Sequence, residues 1–275
     1  MKKQLLLYFI VFCGLSGCGN NDKKSAEALL RRIEYSFQHE KYNTAKLQID
    51  SLNLLYRHHV KLRKTADSYL YRIEQIEVER NLAYFSQQIP KKKLELESMT
   101  KHFTLEKNNV QELGMYIHNN IHGRISQPFL KAQVDESGRI FLTSVYFNRT
   151  NCSSQAVRLQ SGDYFVLSAM IEPDDQVQDY SFADAGGRWR ILPLSERESE
   201  NFARFVSLYY NDEIMVSLVG NDCYSSYKLD QKQKEAIRES YRLSSLLKEI
   251  NDLRNSIENS KKHLVIIKQK IAEQP

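Results

Sequence analysis

Two histidine pairs are the residues of this sequence whose spacing comes closest to a metal site. His118 and His122 lie four residues apart, and on one face of a helix such a pair can direct two imidazoles towards one ion. No third ligand stands near them and Gly123 follows directly, so the sequence favours a solvated pair at the start of a β-domain. His58 and His59 are adjacent, and adjacent side chains on a helix point apart. We therefore predict no metal site and no cofactor.

Few other side chains suggest a functional site. Asp174 and Asp175 follow Pro173, an arrangement typical of a turn. Trp189 is the single tryptophan of the chain and could stack on a sugar or a peptide, although a place in the core of a β-domain is the alternative. The sequence contains no glycine-rich phosphate loop, nucleophile elbow or close pair of acids. We therefore predict that the protein is not an enzyme.

Cys18 carries the most specific chemical signature. Lys2 and Lys3, the apolar run Leu5–Phe12 and the small residues after it follow the order of a secretory signal peptide. The run is too short to span a bilayer as a helix. The tetrad Leu15-Ser16-Gly17-Cys18 resembles the lipobox of bacterial lipoproteins, including uncharacterised envelope lipoproteins of Gram-negative bacteria. The resemblance implies cleavage before Cys18 and acylation of its thiol and its new amino group, which anchors a protein stably. A plain secreted protein is the alternative.

The same resemblance implies a place in the cell envelope. Gly19-Asn20 lacks the aspartate that retains some lipoproteins in the inner membrane, so we expect attachment to the outer membrane, facing the periplasm. Removal of the leader also removes Cys13, which leaves Cys152 and Cys223 as the remaining thiols. Each follows a predicted strand in a polar stretch, and an oxidising periplasm permits a disulfide between them. Two unpaired thiols are the alternative.

The charge balance argues against nucleic acid as a partner. The chain has 39 Lys and Arg against 34 Asp and Glu, a formal net charge of +5, and the leader takes two of these lysines with it. Charges of both signs are mixed along the chain, and the densest basic block is only Lys91-Lys92-Lys93. Such a pattern lacks the basic patch of a nucleic-acid-binding protein. A length of 275 residues and a hydrophobic share of 41% suffice for one or two folded domains.

Apolar residues at helical spacing predict a helical hairpin near the start of the mature chain. The two helices are Ala26–Phe37 and Ala45–Tyr56, and the polar stretch His39–Asn43 joins them, with Asn43 as the expected N-cap. The segment beginning Tyr42-Asn43-Thr44-Ala45 resembles the second helix of a tetratricopeptide repeat. Solenoids need several repeats to be stable, so a lone hairpin must pack on another part of the chain.

Two longer stretches follow a heptad rhythm. Apolar residues from Leu62 to Ala83 alternate steps of four and three. Pro90 is expected to end or kink this helix near Gln88, with a further helical stretch to about Asn108. The rhythm returns more regularly from Leu243 to Ile271. The two apolar seams could face each other in an antiparallel pair, or the C-terminal seam could form a homodimer.

Between these helices the sequence predicts a mainly antiparallel β-domain, either a small sandwich or a sheet with a helix lid. Two strands, Ile140–Phe147 and Tyr164–Ile171, are apolar on both faces and are expected to be central. The lid is the helix Ser195–Tyr209, with its apolar stripe. Hairpin turns are expected at Glu136-Ser137-Gly138 and Ser161-Gly162-Asp163. The other predicted strands are Phe129–Val134, Ala156–Leu159, Arg188–Leu192, Ile214–Val219 and Ser226–Leu229.

The predicted fold class is therefore α+β, and its expected parts follow one another along the chain. They are a signal peptide (1–17), a lipidated tether (18–24), a helical hairpin with long helices (25–108), a β-domain (109–230) and a long C-terminal helix (231–275). Association-prone helices without a catalytic motif suggest a structural or adaptor protein that binds an envelope protein partner. A lipoprotein that binds a glycan or peptide near Trp189 is the alternative.

Overall fold

A computed structural model describes the chain at residues 18–107, 112–121, 128–148, 156–170, 180–184, 187–220 and 224–274. The chain divides into two units. One comprises the residues up to Gln87 together with those from Asn255 onward, and the other is Gln88–Arg254. Both boundaries fall inside long helices. Within the described ranges, no helix has the length and apolar character that crossing a membrane requires.

The helical unit contains the predicted hairpin. Helix α1 (Cys18–Gln38) and helix α2 (Tyr42–Leu55) pack against each other and against the first part of helix α3 (Val60–Thr100). A salt bridge of 2.7 Å between Lys46 and Glu77 also ties α2 to α3. The apolar stripes read from the sequence meet in one small core, whose fully buried members are Ile33, Ala45, Ile49, Leu52, Ala66 and Ile73.

The turn between α1 and α2 differs from the prediction. Asn43 is not the N-cap of α2; that position belongs to Lys41, which makes no capping hydrogen bond with its side chain. Glu40 instead adopts a φ of 55°, and its N–H donates to the carbonyl of Phe37, while the N–H of Lys41 donates to that of Ser36. The turn is therefore closed by the main chain at the end of α1 rather than by an asparagine side chain.

The sequence predicted that Pro90 would end or kink helix α3 near Gln88, but the helix does not end there. Pro90 lies inside the continuous helix. Proline removes one main-chain N–H and so leaves one carbonyl, that of Ser86, without its helical donor. Both Ser86 and Pro90 are exposed, so water can satisfy this carbonyl. The predicted helical stretch to about Asn108 is also wrong, because α3 ends at Thr100 and Leu105 lies in a strand.

The predicted long C-terminal helix is confirmed as helix α5 (Gln231–Ala272). In the helical unit, the ammonium of Lys270 lies 5.2 Å from the centre of the Tyr71 ring. In the second unit, Nζ of Lys92 lies 2.9 Å from a carboxylate oxygen of Glu249. The two predicted apolar seams do not form one shared core, because Ile73 of α3 lies in the core of the hairpin and Leu243 of α5 lies in the core of the second unit.

The second unit contains two antiparallel sheets. Their described strands are β1 (Phe103–Glu106), β2 (Met115–His118), β3 (Phe129–Asp135), β4 (Ile140–Asn148), β5 (Ala156–Ser161), β6 (Tyr164–Leu167), β7 (Tyr180–Asp184), β8 (Gly187–Pro193), β9 (Met215–Val219) and β10 (Tyr224–Lys228). The larger sheet has the strand order β1-β2-β3-β4-β8-β7 and the smaller the order β10-β9-β5-β6. All the predicted strands are present, and the sequence analysis did not predict β1, β2 and β7.

Of the two strands predicted to be central, only one is. Strand β4 lies between β3 and β8, as expected. Strand β6 pairs with β5 at the end of the smaller sheet, so its central position was wrong, and Ile171 lies outside the described residues. A run of apolar residues shows only that both faces of the strand are apolar. A strand at the edge of a sheet can have this pattern as well as a buried central strand.

The predicted helix lid is helix α4 (Glu196–Leu208), which packs on β4. Ser195 and Glu198 form a capping box that satisfies main-chain N–H groups at its start. Ser199 is fully buried, and its hydroxyl accepts a hydrogen bond of 2.9 Å from the N–H of Leu142 in β4. Below it, α4, both sheets and α5 share one apolar core, which includes Leu142, Leu159, Phe202, Val216, Ile237 and Leu243.

The turn between β3 and β4 rests on the backbone of α5. Gly138 has a φ of 92°, and a side-chain carbon built on it would lie 2.9 Å from the main-chain nitrogen of Lys248. The hydroxyl of Ser244 donates to the carbonyl of Gly138 at 2.6 Å, and Asn251 donates to that of Ser137 at 3.1 Å. Only a residue without a side chain allows this close approach.

Candidate functional site

Strand β6 is an edge of the smaller sheet with three exposed apolar or aromatic side chains. Tyr164, Phe165 and Leu167 are 65%, 54% and 49% exposed, and the strand pairs with β5 alone among the described strands. Edge strands usually carry charges, prolines or bulges that prevent pairing with another chain. The sequence Tyr-Phe-Val-Leu of β6 contains no charged residue and no proline. It therefore offers a strand edge with apolar side chains to solvent.

Helix α4 forms the second side of this surface. Between α4 and β6 lies an open groove of about 260 Å³. Leu208, at the end of α4, is 69% exposed, and Tyr164 stacks on Tyr209 with ring centres 5.6 Å apart. The groove is mainly apolar, and the residues that line it are Val166, Leu167, Glu198, Asn201, Phe202, Arg204, Phe205 and Leu208. We call β6 and this lining the β6–α4 surface.

Hydrogen bonds to Glu198 hold the two sides of the surface together. Its carboxylate accepts from the N–H of Ala169 at 2.5 Å, just after β6, and from the N–H of Ser195 at 2.8 Å, at the start of α4. Burial alone would raise the pKa of Glu198, but the hydrogen bonds from Ser195 and Ala169 outweigh it and lower the pKa below its ordinary value. The carboxylate is therefore ionised at neutral pH, and its hydrogen bonds tie the chain after β6 to the start of α4.

The β6–α4 surface has the features of a peptide-binding edge. It presents a strand edge, apolar side chains and a shallow groove. An extended peptide can add to such an edge through main-chain hydrogen bonds while one of its side chains enters the adjacent groove. Sequence analysis missed this surface because it assigned β6 to the interior of the sheet.

The predicted lipid anchor, disulfide and turn all lie outside what the structure describes. This applies to the side chain of Cys18 and to the whole of Cys152, Asp174, Asp175 and Cys223. Trp189 lies on β8, in the larger sheet, where it is partly buried and pairs in register with Phe147 of β4, their ring centres 5.0 Å apart. It does not line the β6–α4 groove.

His118 is not solvated, as the sequence favoured, and His122 lies outside the described residues. His118 ends strand β2 and is 5% exposed, and its ring lies nearly perpendicular to that of Phe103, with centres 5.0 Å apart. Burial lowers the pKa of His118 below its ordinary value of 6.5, and the carboxylates of Glu235 and Glu239 offset only part of that effect. The ring is thus a neutral part of the core at pH 7.

The prediction that His58 and His59 point apart was also wrong. They lie in the turn between α2 and α3 rather than on a helix, and their ring centres are 4.2 Å apart. Both direct Nε2 at the same carboxylate oxygen of Asp22, on α1. A turn does not impose the angular separation that a helix gives to successive side chains.

Comparisons with known proteins add no relative from which a role could be transferred: no family model, no curated protein and no solved structure matches this chain.

Proposed function

We propose that the protein is a lipid-anchored envelope lipoprotein that acts as a non-enzymatic adaptor, and that its β6–α4 surface binds an extended segment of a partner protein. The exposed, uncharged edge of β6 is the observation that carries the proposal. Main-chain hydrogen bonds to this edge would supply affinity, and an apolar side chain in the groove would supply specificity. The partly buried Trp189 gives no comparable support to a glycan site.

Photo-crosslinking in living cells tests the binding surface. With a photoreactive phenylalanine analogue at Leu208 or Leu167, we expect one discrete adduct, because both side chains are exposed at the groove. The matched control position is Leu47 on α2, which is 68% exposed against 69% for Leu208 and lies in the other unit. Adducts of equal yield at Leu47 and Leu208 would contradict the proposal.

The captured partner then allows a second measurement that separates strand addition from mere apolar contact. A synthetic peptide of the crosslinked segment should bind the protein, and the same peptide N-methylated at alternate residues in the strand-pairing register should lose most of its affinity, because methylation removes the N–H donors that pair with β6. The opposite methylation register is the control. Equal binding of all three peptides, measured by fluorescence anisotropy, would reject pairing with β6.

Anchoring follows from the lipobox resemblance, and Cys18 is the residue that tests it. Cys18→Ser should abolish labelling by a clickable fatty acid and shift the protein out of the membrane fraction, because the acyl chains attach to this thiol. Cys13→Ser, five residues earlier, is the matched control and should keep both label and membrane association. Label retained by Cys18→Ser would refute the lipid anchor and leave the β6–α4 surface to be judged by crosslinking.

A further inference from the structure

Asp22, His58 and His59 form the most compact group of potential metal ligands in the described parts of the chain. Nε2 of His58 lies 2.6 Å and Nε2 of His59 lies 3.3 Å from the same oxygen of Asp22. One ligand atom of each residue lies within 4.8 Å of both others. Three donors from two different parts of the chain thus converge at one point on the helical unit.

The turn between α2 and α3 holds the two histidines in this arrangement. The N–H of His59 donates to the carbonyl of Tyr56, and that of Val60 to the carbonyl of His58. Arg63, on the first turns of α3, then closes the loop, because its guanidinium donates to the carbonyl of Arg57 and to the side-chain oxygen of Asn53. The backbone that carries the two imidazoles is therefore fixed by hydrogen bonds outside the cluster.

The distances are close to those a bound ion needs. Zinc binds histidine nitrogen and carboxylate oxygen at about 2.0–2.2 Å, which places two ligands of a tetrahedral site about 3.3 Å apart. Asp22 and His59 already have this separation. The distance from Asp22 to His58 must increase, and this is possible because the His58 side chain is 66% exposed.

We propose that Asp22, His58 and His59 bind a divalent transition-metal ion of the zinc class, through one carboxylate oxygen and the two Nε2 atoms. Each ring would coordinate through an unprotonated Nε2 and carry its proton on Nδ1. Two nitrogens and one carboxylate oxygen suit zinc, copper and nickel better than calcium or magnesium, which prefer oxygen ligands. Three protein ligands leave a fourth position for water or an outside ligand. The inference does not rest on the proposed adaptor function.

Calorimetric titration of the protein, purified in detergent with its thiols alkylated, tests this site with zinc as the probe. We expect one equivalent to bind to the wild type. His58→Ala, His59→Ala and Asp22→Asn should each weaken binding by at least about tenfold. His39→Ala is the matched control, since His39 is an exposed histidine of the same unit that lies outside the cluster, and it should leave the affinity unchanged.

Bound copper provides a spectrum that reports its nitrogen ligands directly. That spectrum would not change if the two histidines only stabilised the turn. Electron paramagnetic resonance of the copper-loaded protein should show coupling to two imidazole nitrogens in the wild type and to one in His58→Ala. His58 is mainly exposed, so this variant should keep its fold, which helical circular dichroism can verify. A spectrum unchanged by His58→Ala, or zinc binding unchanged in the variant lacking all three ligands, would overturn the proposed site.

Discussion

Gly138→Ala is expected to destabilise the second unit by about 4 kcal/mol. The residue has a φ of 92°, in the left-handed region that costs a residue with a side chain about 1–2 kcal/mol. In addition, the new methyl group would lie 2.9 Å from the nitrogen of Lys248 and 3.0 Å from the carbonyl oxygen of Ser244. Both are main-chain atoms of α5 and cannot rotate away, so overpacking adds about 1–3 kcal/mol.

Gly162→Ala separates the two causes. Gly162 also has a positive φ, 57°, but a side-chain carbon there would meet no atom within 4 Å. Gly162→Ala should therefore lower the free energy of unfolding only through the unfavourable backbone conformation, by about 1–2 kcal/mol. Urea unfolding of both variants, followed by fluorescence of Trp189, measures the difference. Equal midpoints for the two variants would show that the turn at Gly138 does not press on α5.

Asp135→Asn is also expected to be strongly destabilising, and it should lower the free energy of unfolding by about 3 kcal/mol at pH 7. Asp135 is 2% exposed, and its carboxylate accepts hydrogen bonds from the N–H groups of Ser137 and Arg139, from the Ser137 hydroxyl and from the Arg139 guanidinium. An amide offers one acceptor oxygen for these donors. The Arg139 side chain is 51% exposed, so its charge contributes less than the main-chain donors.

The same carboxylate makes stability depend on pH. Burial raises the pKa of Asp135, but the hydrogen bonds from Ser137 and Arg139, with the Arg139 charge, hold it below its ordinary value of 3.8. Between the folded pKa and 3.8 the unfolded chain binds more protons, so the free energy of unfolding decreases as pH falls through this window.

Comparison of the wild type with Asp135→Asn over this window tests the effect. The free energy of unfolding of the variant should not show the decrease that protonation of Asp135 causes in the wild type. The difference in free energy of unfolding between the two proteins should therefore become smaller below pH 3.8. Asp163→Asn, an exposed aspartate in the other hairpin turn, is the control and should change stability by less than about 0.5 kcal/mol. A gap that stays constant down to the acid-unfolded state would contradict the role given to Asp135.

The elements that the sequence predicts well are those whose periodicity extends over many residues. Helix α5 and the apolar stripe of α4 repeat the helical period several times, and β4 is a long, mainly apolar run of nine residues. Strands β1 and β2 have four residues each, too few for alternation to be recognised. The helical reading of Leu105 failed for this reason, since one leucine after α3 fits either period.

The candidate sites depend on tertiary placement, which periodicity does not report. Whether β6 is buried or exposed depends on which strand lies beside it, and the pattern Tyr-Phe-Val-Leu is the same in both cases. Asp22 lies 36 residues before His58, so no local pattern connects them. A signal was present in Tyr56–His59, where a break in the helical pattern before α3 indicates a turn, and a turn allows neighbouring side chains to converge.

The contacts between α5 and the sheet determine when the second unit can fold during synthesis. Gln233 accepts from the N–H of Leu130, Glu235 from Asn120, and Ser244 donates to Gly138, so each contact joins residues more than 100 positions apart. At about 5–20 residues per second, synthesis of α5 follows that of β3 and β4 by about 5–20 s. During that interval the nascent hairpin has no helix to rest on and its apolar side chains are exposed to other chains. Non-local contacts of this kind also slow folding, so the second unit is completed only after nearly the whole polypeptide exists. A ribosome that stopped before Gln231 would release all the described strands without the helix that packs on them.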